Sequence, residues 1–450
     1  MSTPAVQYQT VNPATGEVVE TFSAATDADC EAALANAASA YDAWRRCPLA
    51  QRAAVLTRTA ELVRERIDEL ATLATEEMGK SRGAARGELG LVADIFDYYA
   101  THGPEMLADE EYAPASGGRA IIRRNPVGVL LGIMPWNYPY YQVARFVAPN
   151  LLLGNTTILK HAPSCPKSAL ALAAVLHDAG LPDGAYINIF ASNDQIAAMI
   201  ADDRLQGVSL TGSERAGAAV AEIAGRHLKK VVLELGGSDP MIILDSADVA
   251  ASARTAYGSR MANRGQACNS PKRMLVPSSL YDDFVTEIVA LATADPNDTP
   301  LSSRAAAEGV HRQIERAVDQ GATLHVGGAL SEVGAFLSPA VLTGVTPEMD
   351  LYYEEVFGPV VVVHEVRDAD HAVEMANDSV YGLGAAIFGS DEDEIMRVAD
   401  QLDCGMVFVN SAEDSEPDLP FGGMKRSGFG RELSHLAIDE FANLKLIRLP

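Results

Sequence analysis

Residues 127–134 read VGVLLGIM, an apolar run without a single charge. The run is far shorter than the roughly 18–20 residues a membrane-spanning helix requires. It lacks the polar alternation of a half-exposed strand, so it predicts a strand covered on both faces, as in a parallel sheet. The same signal recurs downstream in TTILK (156–160), YINIF (186–190), GVSL (207–210) and KVVLEL (230–235). Between these runs lie segments with helical spacing: YQVARFVAPNLLLG (141–154), a stretch from about 167, a short one before 207, and ERAGAAVAEIAGRH (214–227). Strand and helix in alternation predict βαβ units and a mostly parallel sheet. Past 240 a second alternation follows, with MIILD (241–245), ADVAASARTAYGSRMANRG (247–265), KRMLVP (272–277), YDDFVTEIVALATA (281–294), GATLHVGG (321–328), VVVVHEV (360–366) and GMVFVN (405–410). Residues 26–112 read as helices, with apolar residues at helical spacing and acids where the first helix begins. The fold class is α/β, and two α/β halves in one chain enclose a cleft suited to a ligand.

The bulk composition narrows the partners. The chain has 450 residues and a net charge of −26, a surface that repels nucleic acid and anionic lipid. No run is long and apolar enough for a membrane span, and MSTPAVQYQT at the start lacks the pattern of a secretory signal. A cytoplasmic protein is expected. Five cysteines, Cys30, Cys47, Cys165, Cys268 and Cys404, are odd in number, widely spaced and free of any CxxC. They read as free thiols. The nine histidines form no HExxH and no zinc-like cluster, so no catalytic metal is expected.

In an open parallel sheet, ligands bind beyond the carboxyl ends of the strands. After GVSL comes TGSERAG (211–217): Thr211, Gly212 and Ser213 lead into a helix whose free N–H groups suit a pyrophosphate, with Gly217 for close helix packing. A serine cap after a tight turn is the plainer alternative. There is no GxGxxG, so the ordinary dinucleotide fingerprint is missing. Lys160 ends TTILK beside the loop HAPSCP, placed for a ribose or phosphate or merely solvated. PWNYP (135–139) offers Asn137, whose amide could donate to an oxyanion or cap a helix. Glu234 ends an apolar strand, where a carboxylate is costly unless used or paired. Cys268, in RGQACNSPKR (264–273), is followed by the cations Lys272 and Arg273. A thiol, a carboxylate and an amide donor beside a phosphate site suit acyl chemistry through a thioester.

PWNYP, LTGS, LELGGSDP, GQAC, EEVFGPV and PFGGMKRSG, in this order along nearly the whole chain, resemble the aldehyde dehydrogenase superfamily. LKHAP, LELGGSDP and GRELS are most similar to its bacterial-type succinate-semialdehyde dehydrogenases. The resemblance implies a Rossmann-like cofactor domain (1–104 with 128–236), a second α/β catalytic domain (237–431) and a small β-hairpin oligomerisation element (105–127 with 432–450), in a homodimer or homotetramer. It implies that Cys268 is the nucleophile, Glu234 the base and Asn137 an oxyanion donor together with the Cys268 N–H. NAD or NADP would be held by Trp136, Lys160, Ser164, Thr211, Gly212, Ser213, Gly217, Leu235, Glu355 and Phe357.

The chain departs from the family pattern in ways that bear on specificity. Pro163 stands where a ribose-binding acid is common, which removes repulsion against a 2′-phosphate and tilts the expectation toward NADP, with Lys160 and Ser164 as partners. Arg145, eight residues past Asn137, matches an arginine that meets the substrate carboxylate. Ala262 stands where a second one would be, and Arg264 or Arg260 is the candidate replacement. Ser415 matches a carboxylate-contacting serine. Glu413, Asp414, Glu416 and Asp418 near the mouth either face solvent or favour a cationic aminoaldehyde. The loop LATADPNDTPLSSR (291–304) is short and is expected at the surface, with little bearing on chemistry. A non-catalytic protein of this fold would show damaged catalytic positions, and Cys268, Glu234 and Asn137 are all present.

Overall fold

The computed structural model describes residues 7–245, 248–411 and 414–450. The VGVLLGIM run forms the strand Val129–Met134 at the heart of a six-stranded sheet. Across that sheet the order is Gly428–Phe429, Lys230–Glu234, Leu205–Thr211, Val129–Met134, Thr156–His161 and Tyr186–Asn188. All neighbours are parallel except the two-residue edge strand Gly428–Phe429. The chain runs outward one way from Val129–Met134 and then crosses to build the other side from Leu205–Thr211. Such a reversal leaves a crevice at the carboxyl ends of the two central strands. Pro135–Asn137 and Thr211–Ser213 lie there.

A second sheet of seven strands has the order Thr323–Val326, Ala340–Thr343, Val360–Val366, Arg273–Pro277, Pro240–Ile243, Gly384–Phe388 and Met406–Val409. Only its Thr323–Val326 edge is antiparallel. Its central strands are buried on both faces, which explains why VVVVHEV and MIILD read as unbroken apolar runs. A third, antiparallel sheet joins Ala442–Leu449, Arg119–Pro126 and Glu110–Tyr112. The strand Gly428–Phe429 comes after the seven-stranded sheet in sequence yet pairs with Lys230–Glu234, so it ties the two halves together.

The helical reading of 26–112 needs correction at its end. The helices Asp27–Trp44, Leu49–Glu65, Ile67–Met78 and Arg82–Met106 stop at Met106, and Glu110–Tyr112 is a strand. A short polar strand carries no apolar alternation of its own; pairing with Ala120–Ile122 decides it. The strand pair Tyr8–Val11 and Val18–Phe22 also has no counterpart in the sequence reading. The helix read from 247 begins at Val249, capped by Asp248, and Ala247 lies outside the described residues.

Candidate functional site

A cavity of about 270 Å³ opens at the reversal point of the first sheet. Pro135, Trp136 and Asn137 line one wall, and Thr211, Gly212 and Ser213 another. Leu235, Gly236, Glu355 and Phe357 form the third, and Cys268 and Gln142 close the end. A second cavity of about 500 Å³ is lined by Tyr138, Tyr141, Gln142, Cys268, Asn269, Ser415 and Phe421, with Glu88, Asp94 and Asp414 at its margins. Cys268 and Gln142 are the two side chains common to both. The thiol therefore stands where the two spaces meet.

Cys268 is placed by a strained turn. After the helix Val249–Met261, residues Asn263 and Arg264 have φ of 47° and 57°, a region that costs a non-glycine residue about 1 kcal/mol or more. Gly265 follows at φ 72°, and a Cβ there would fall 2.2 Å from the Gly358 carbonyl oxygen. The turn is buttressed from the loop after Tyr281–Ala294. Asp295 pairs with Arg264 at 3.0 Å, Asn297 Oδ1 accepts from Arg264 at 2.8 Å, and the Ser302 N–H donates to Gln266 Oε1 at 2.9 Å. This corrects the expectation for 291–304: the loop is not a bystander at the surface, and its Ser302 is buried.

Asn137 is buried and donates through Nδ2 to the Gln266 carbonyl at 3.1 Å. An amide carries two N–H donors, so one remains for a ligand. Glu234 is buried, and neither carboxylate oxygen has a hydrogen-bond partner among the described residues. It lines neither cavity and packs beside Gly422, where an added Cβ would lie 2.8 Å from its Oε1. Burial holds its carboxyl well above the usual range, against the pull of Arg145. Burial also pushes the Cys268 thiol up to about 12, opposed by Arg145 and Lys272 and reinforced by Glu234 and Glu355.

The dinucleotide-facing residues divide between the cavity and its surroundings. Ser213 caps the helix Glu214–Arg226, and a Cβ on Gly212 would meet only Leu210, at 3.7 Å. Backbone can thus approach a phosphate there. Trp136 and Phe357 meet edge to face, 5.8 Å between centroids. Glu355 accepts from the Gly237 N–H at 3.0 Å. Gly217 lies outside the lining; a Cβ there would fall 2.7 Å from Leu235, so its role is to seat the helix. Lys160, next to last in its strand, does not line the 270 Å³ cavity, and its Nζ lies 6.0 Å from the Tyr8 ring centroid. Ser164 lines a separate cleft of about 800 Å³ beside Gln9 and Arg304. The residues present fit a dinucleotide extended from Cys268 along Thr211–Ser213. Among the described residues no group of three or more His, Cys, Asp or Glu could hold a metal.

The substrate-side expectations fare differently. Arg145 is fully buried in the helix Tyr141–Leu153 and lines neither cavity. It ion-pairs with Glu432 and donates to Tyr141 Oη at 3.3 Å and Thr211 Oγ1 at 3.2 Å. Tyr141, which lines the second cavity, lies between Arg145 and Ser415, and its Oη donates to Ser415 Oγ at 3.0 Å. Arg260 and Arg264 are not substitutes. Arg260 is spent on the carbonyls of Val356, Gly358 and Val360, and Arg264 on Asp295, Asn297 and the Leu337 carbonyl. Asp414 lies at the margin of the second cavity, Glu416 and Asp418 are exposed, and Glu413 is outside the described residues.

The sequence reading missed Gln142, Tyr138 and Tyr141. Their signal was YPYYQ, the entry into the helix immediately past Asn137. It also missed the buried pair beneath them: Lys80 donates to Glu88 at 2.5 Å and lies 3.6 Å from the Tyr138 ring centroid, while Glu88 accepts the N–H groups of Tyr140 and Tyr141.

Comparison with known proteins identifies the family. The model of the aldehyde dehydrogenase family matches residues 2–447. A succinate-semialdehyde dehydrogenase [NADP(+)] of Deinococcus radiodurans is 52% identical, over 99% of this chain and 95% of its own. The crystal structure of a succinic semialdehyde dehydrogenase from Streptococcus pyogenes with NADP+ superimposes with a TM-score of 0.96 at 43% identity, covering 98% of this chain and 100% of that one. An NAD+ complex of an aldehyde dehydrogenase from Bacillus cereus reaches 0.95 at 32% identity, covering 98% and 93%. The chain belongs to the aldehyde dehydrogenase family.

Proposed function

We propose that this chain oxidises succinate semialdehyde to the carboxylate, with NADP as the preferred cofactor and NAD as the alternative. The observation that carries the reading is the position of Cys268, half-buried at the junction of the two cavities. Ionised Cys268 attacks the aldehyde carbon from the larger cavity, since the thiolate is the nucleophile. The oxygen that becomes negative is met by the free N–H of Asn137 and the backbone N–H of Cys268. A bound nicotinamide dinucleotide supplies the acceptor for the hydride that leaves this carbon. The thioester left on Cys268 is hydrolysed by water that Glu234 deprotonates after its carboxylate swings in from Gly422. Trp136, Thr211–Ser213, Leu235, Glu355 and Phe357 would hold the dinucleotide, and Lys160 and Ser164 would serve its adenosine end. Purified protein with succinate semialdehyde and NADP+ should show a rise at 340 nm. No rise with either cofactor overturns the reading.

NADP preference is supported by the sequence KHAPS, which places no carboxylate between Lys160 and Ser164, and by the relatives. Burial lowers the Lys160 ammonium to about 8, so the cation is present below that pH and lost above it. The KM for NADP should be flat to about pH 7, begin to rise around pH 8 and reach about tenfold toward pH 10. Lys160→Met should raise the KM at pH 7 and flatten the profile, while the KM for NAD moves little.

The substrate carboxylate is assigned to the Tyr141 and Ser415 hydroxyls, with Arg145 behind them. A hydrogen bond to a charged group is worth about 1.5–3 kcal/mol. Tyr141→Phe should therefore raise the KM for succinate semialdehyde about 10–100-fold and that for butyraldehyde less than about twofold. A second reading, an aminoaldehyde substrate, is favoured by one observation. Among the described residues the lining of the second cavity has no Lys or Arg and carries Glu88, Asp94 and Asp414. Parallel rates with 4-aminobutyraldehyde decide between them; Asp94 is already paired with Arg64 at 2.8 Å, which weakens that reading.

No helix among the described residues is long and apolar enough to cross a membrane. We assign a cytoplasmic location and a homodimer or homotetramer built on the small antiparallel sheet, where Leu444 and Leu446 are exposed. The cofactor and catalytic units follow the two large sheets. The third unit is best bounded at Ala442, because Glu432 and Phe441 pack into the first half.

A further inference from the structure

We propose that Lys272, four residues past the nucleophile, is the positioning residue that fixes the direction of the Cys268 N–H and couples it to Glu355. The proposal rests on Cys268 being the nucleophile. Lys272 is only 3% exposed, and a buried ammonium costs several kcal/mol unless its donors are used. It has three donors and three neighbouring acceptors. Its Nζ donates to the carbonyls of Ala267 at 3.0 Å and Cys268 at 2.5 Å, and lies 3.7 Å from Glu355 Oε1.

The two carbonyls flank the nucleophile. In a trans peptide the carbonyl of one residue and the N–H of the next point in opposite directions. A cation drawing the Ala267 carbonyl to one side therefore turns the Cys268 N–H to the other and polarises it as a donor. The peptide that follows Cys268 is held as well. Its carbonyl, that of Cys268, accepts from Lys272 and lies 2.6 Å from where a Cβ on Gly237 would sit, and the Gly237 N–H donates to the same Glu355 Oε1 that Lys272 approaches. Lys272, Glu355 and Gly237 thus form one buried unit that links the wall of the 270 Å³ cavity to the reacting turn. The charged groups acting on the Cys268 thiol are Arg145 and Lys272 on one side and Glu234 and Glu355 on the other. The phenols of Tyr138 and Tyr141 also feel it. Arg145 is paired with Glu432 and makes no hydrogen bond to the turn, whereas Lys272 is the cation that donates to the turn itself. Its neighbour Arg273 has a different task, holding the carbonyls of Ser238, Met375 and Ala376.

The test is the rate at which iodoacetamide alkylates Cys268, followed by mass spectrometry across pH without cofactor or substrate. Lys272→Met should slow alkylation about tenfold near pH 8 and move its profile to higher pH. It should lower kcat more than it raises the KM for the cofactor. Lys272→Arg should restore a large part of both. Lys272→Gln keeps an N–H₂ for the carbonyls and loses the charge. It should retain more kcat than Met yet show the same displaced alkylation profile. An unaltered profile in the Met and Gln variants, with only a lower melting temperature, would overturn the proposal and leave Lys272 a packing residue. If Met does not fold, the Gln variant decides alone. Alkylation needs no aldehyde, so a chain that alkylates as expected but oxidises nothing sinks the functional reading and not this one.

Discussion

Cys268→Ser is expected to lower kcat on the order of 10⁶-fold, the scale on which nucleophile removal acts in covalent catalysis. The substitution keeps the side chain's shape and leaves both cavities intact, so binding of NADP should persist, and a titration by protein fluorescence should give an unchanged Kd. The loss is chemical. An alcohol is far harder to ionise than a thiol, and here even the thiol is pushed up to about 12 by burial. At neutral pH a small fraction of Cys268 is ionised in the free enzyme, so the wild-type kcat/KM should climb with pH through the neutral and mildly alkaline range. That slope has a definite sign because the reactive form is the deprotonated one. A Ser variant that oxidises aldehyde at more than about a hundredth of the wild-type rate would remove Cys268 from the mechanism. Stoichiometric alkylation that left oxidation intact would do the same.

How much of this could be read from the residues depends on which interactions are local. The strand ends were legible, because continuous apolar runs mark buried parallel strands and the residues after them must face the crevice. Asn137, Thr211–Ser213 and Glu234 were singled out that way, Cys268 by the cations that follow it, and Glu355 and Phe357 through the family motif. What was not legible depends on long-range pairing. Nothing near Arg145 in sequence reveals that Glu432 will neutralise it, and the two meet only because the 428–432 segment returns to the edge of the first sheet. The loop 291–304 has the polar, proline-containing look of a surface connection, and its hold on Arg264 and Gln266 exists only in three dimensions. Gly236 and Gly237 show the intermediate case. The motif announces them, but only the structure gives the reason: a Cβ at either would meet the Glu355 carboxylate or the Cys268 carbonyl at about 2.5–2.6 Å.

Glu234→Gln is expected to separate the two halves of the reaction. Glutamine matches the shape of the acid but cannot take a proton from water, and loss of a positioned general base costs about 10²–10⁴-fold. Acylation should survive, so rapid mixing with saturating aldehyde should give a burst approaching one equivalent of reduced cofactor per chain. A steady state lower by about that factor should follow. Mass spectrometry of the quenched protein should find the acyl group on Cys268. Absence of a burst, with the first turnover slowed as much as the steady state, would assign Glu234 to activating the thiol instead. Stability supplies an independent check. Burial raises the folded-state pKa of this carboxyl above its ordinary unfolded value near 4.3. Between those two values the folded chain keeps a proton that the unfolded chain has lost, so its stability falls as pH rises through that window. The Gln variant lacks that penalty, so near pH 8 it should melt no lower than the wild type, and its advantage should vanish near pH 4. A variant that is slower yet at least as stable identifies a carboxylate held in an unfavourable place because the chemistry requires it there.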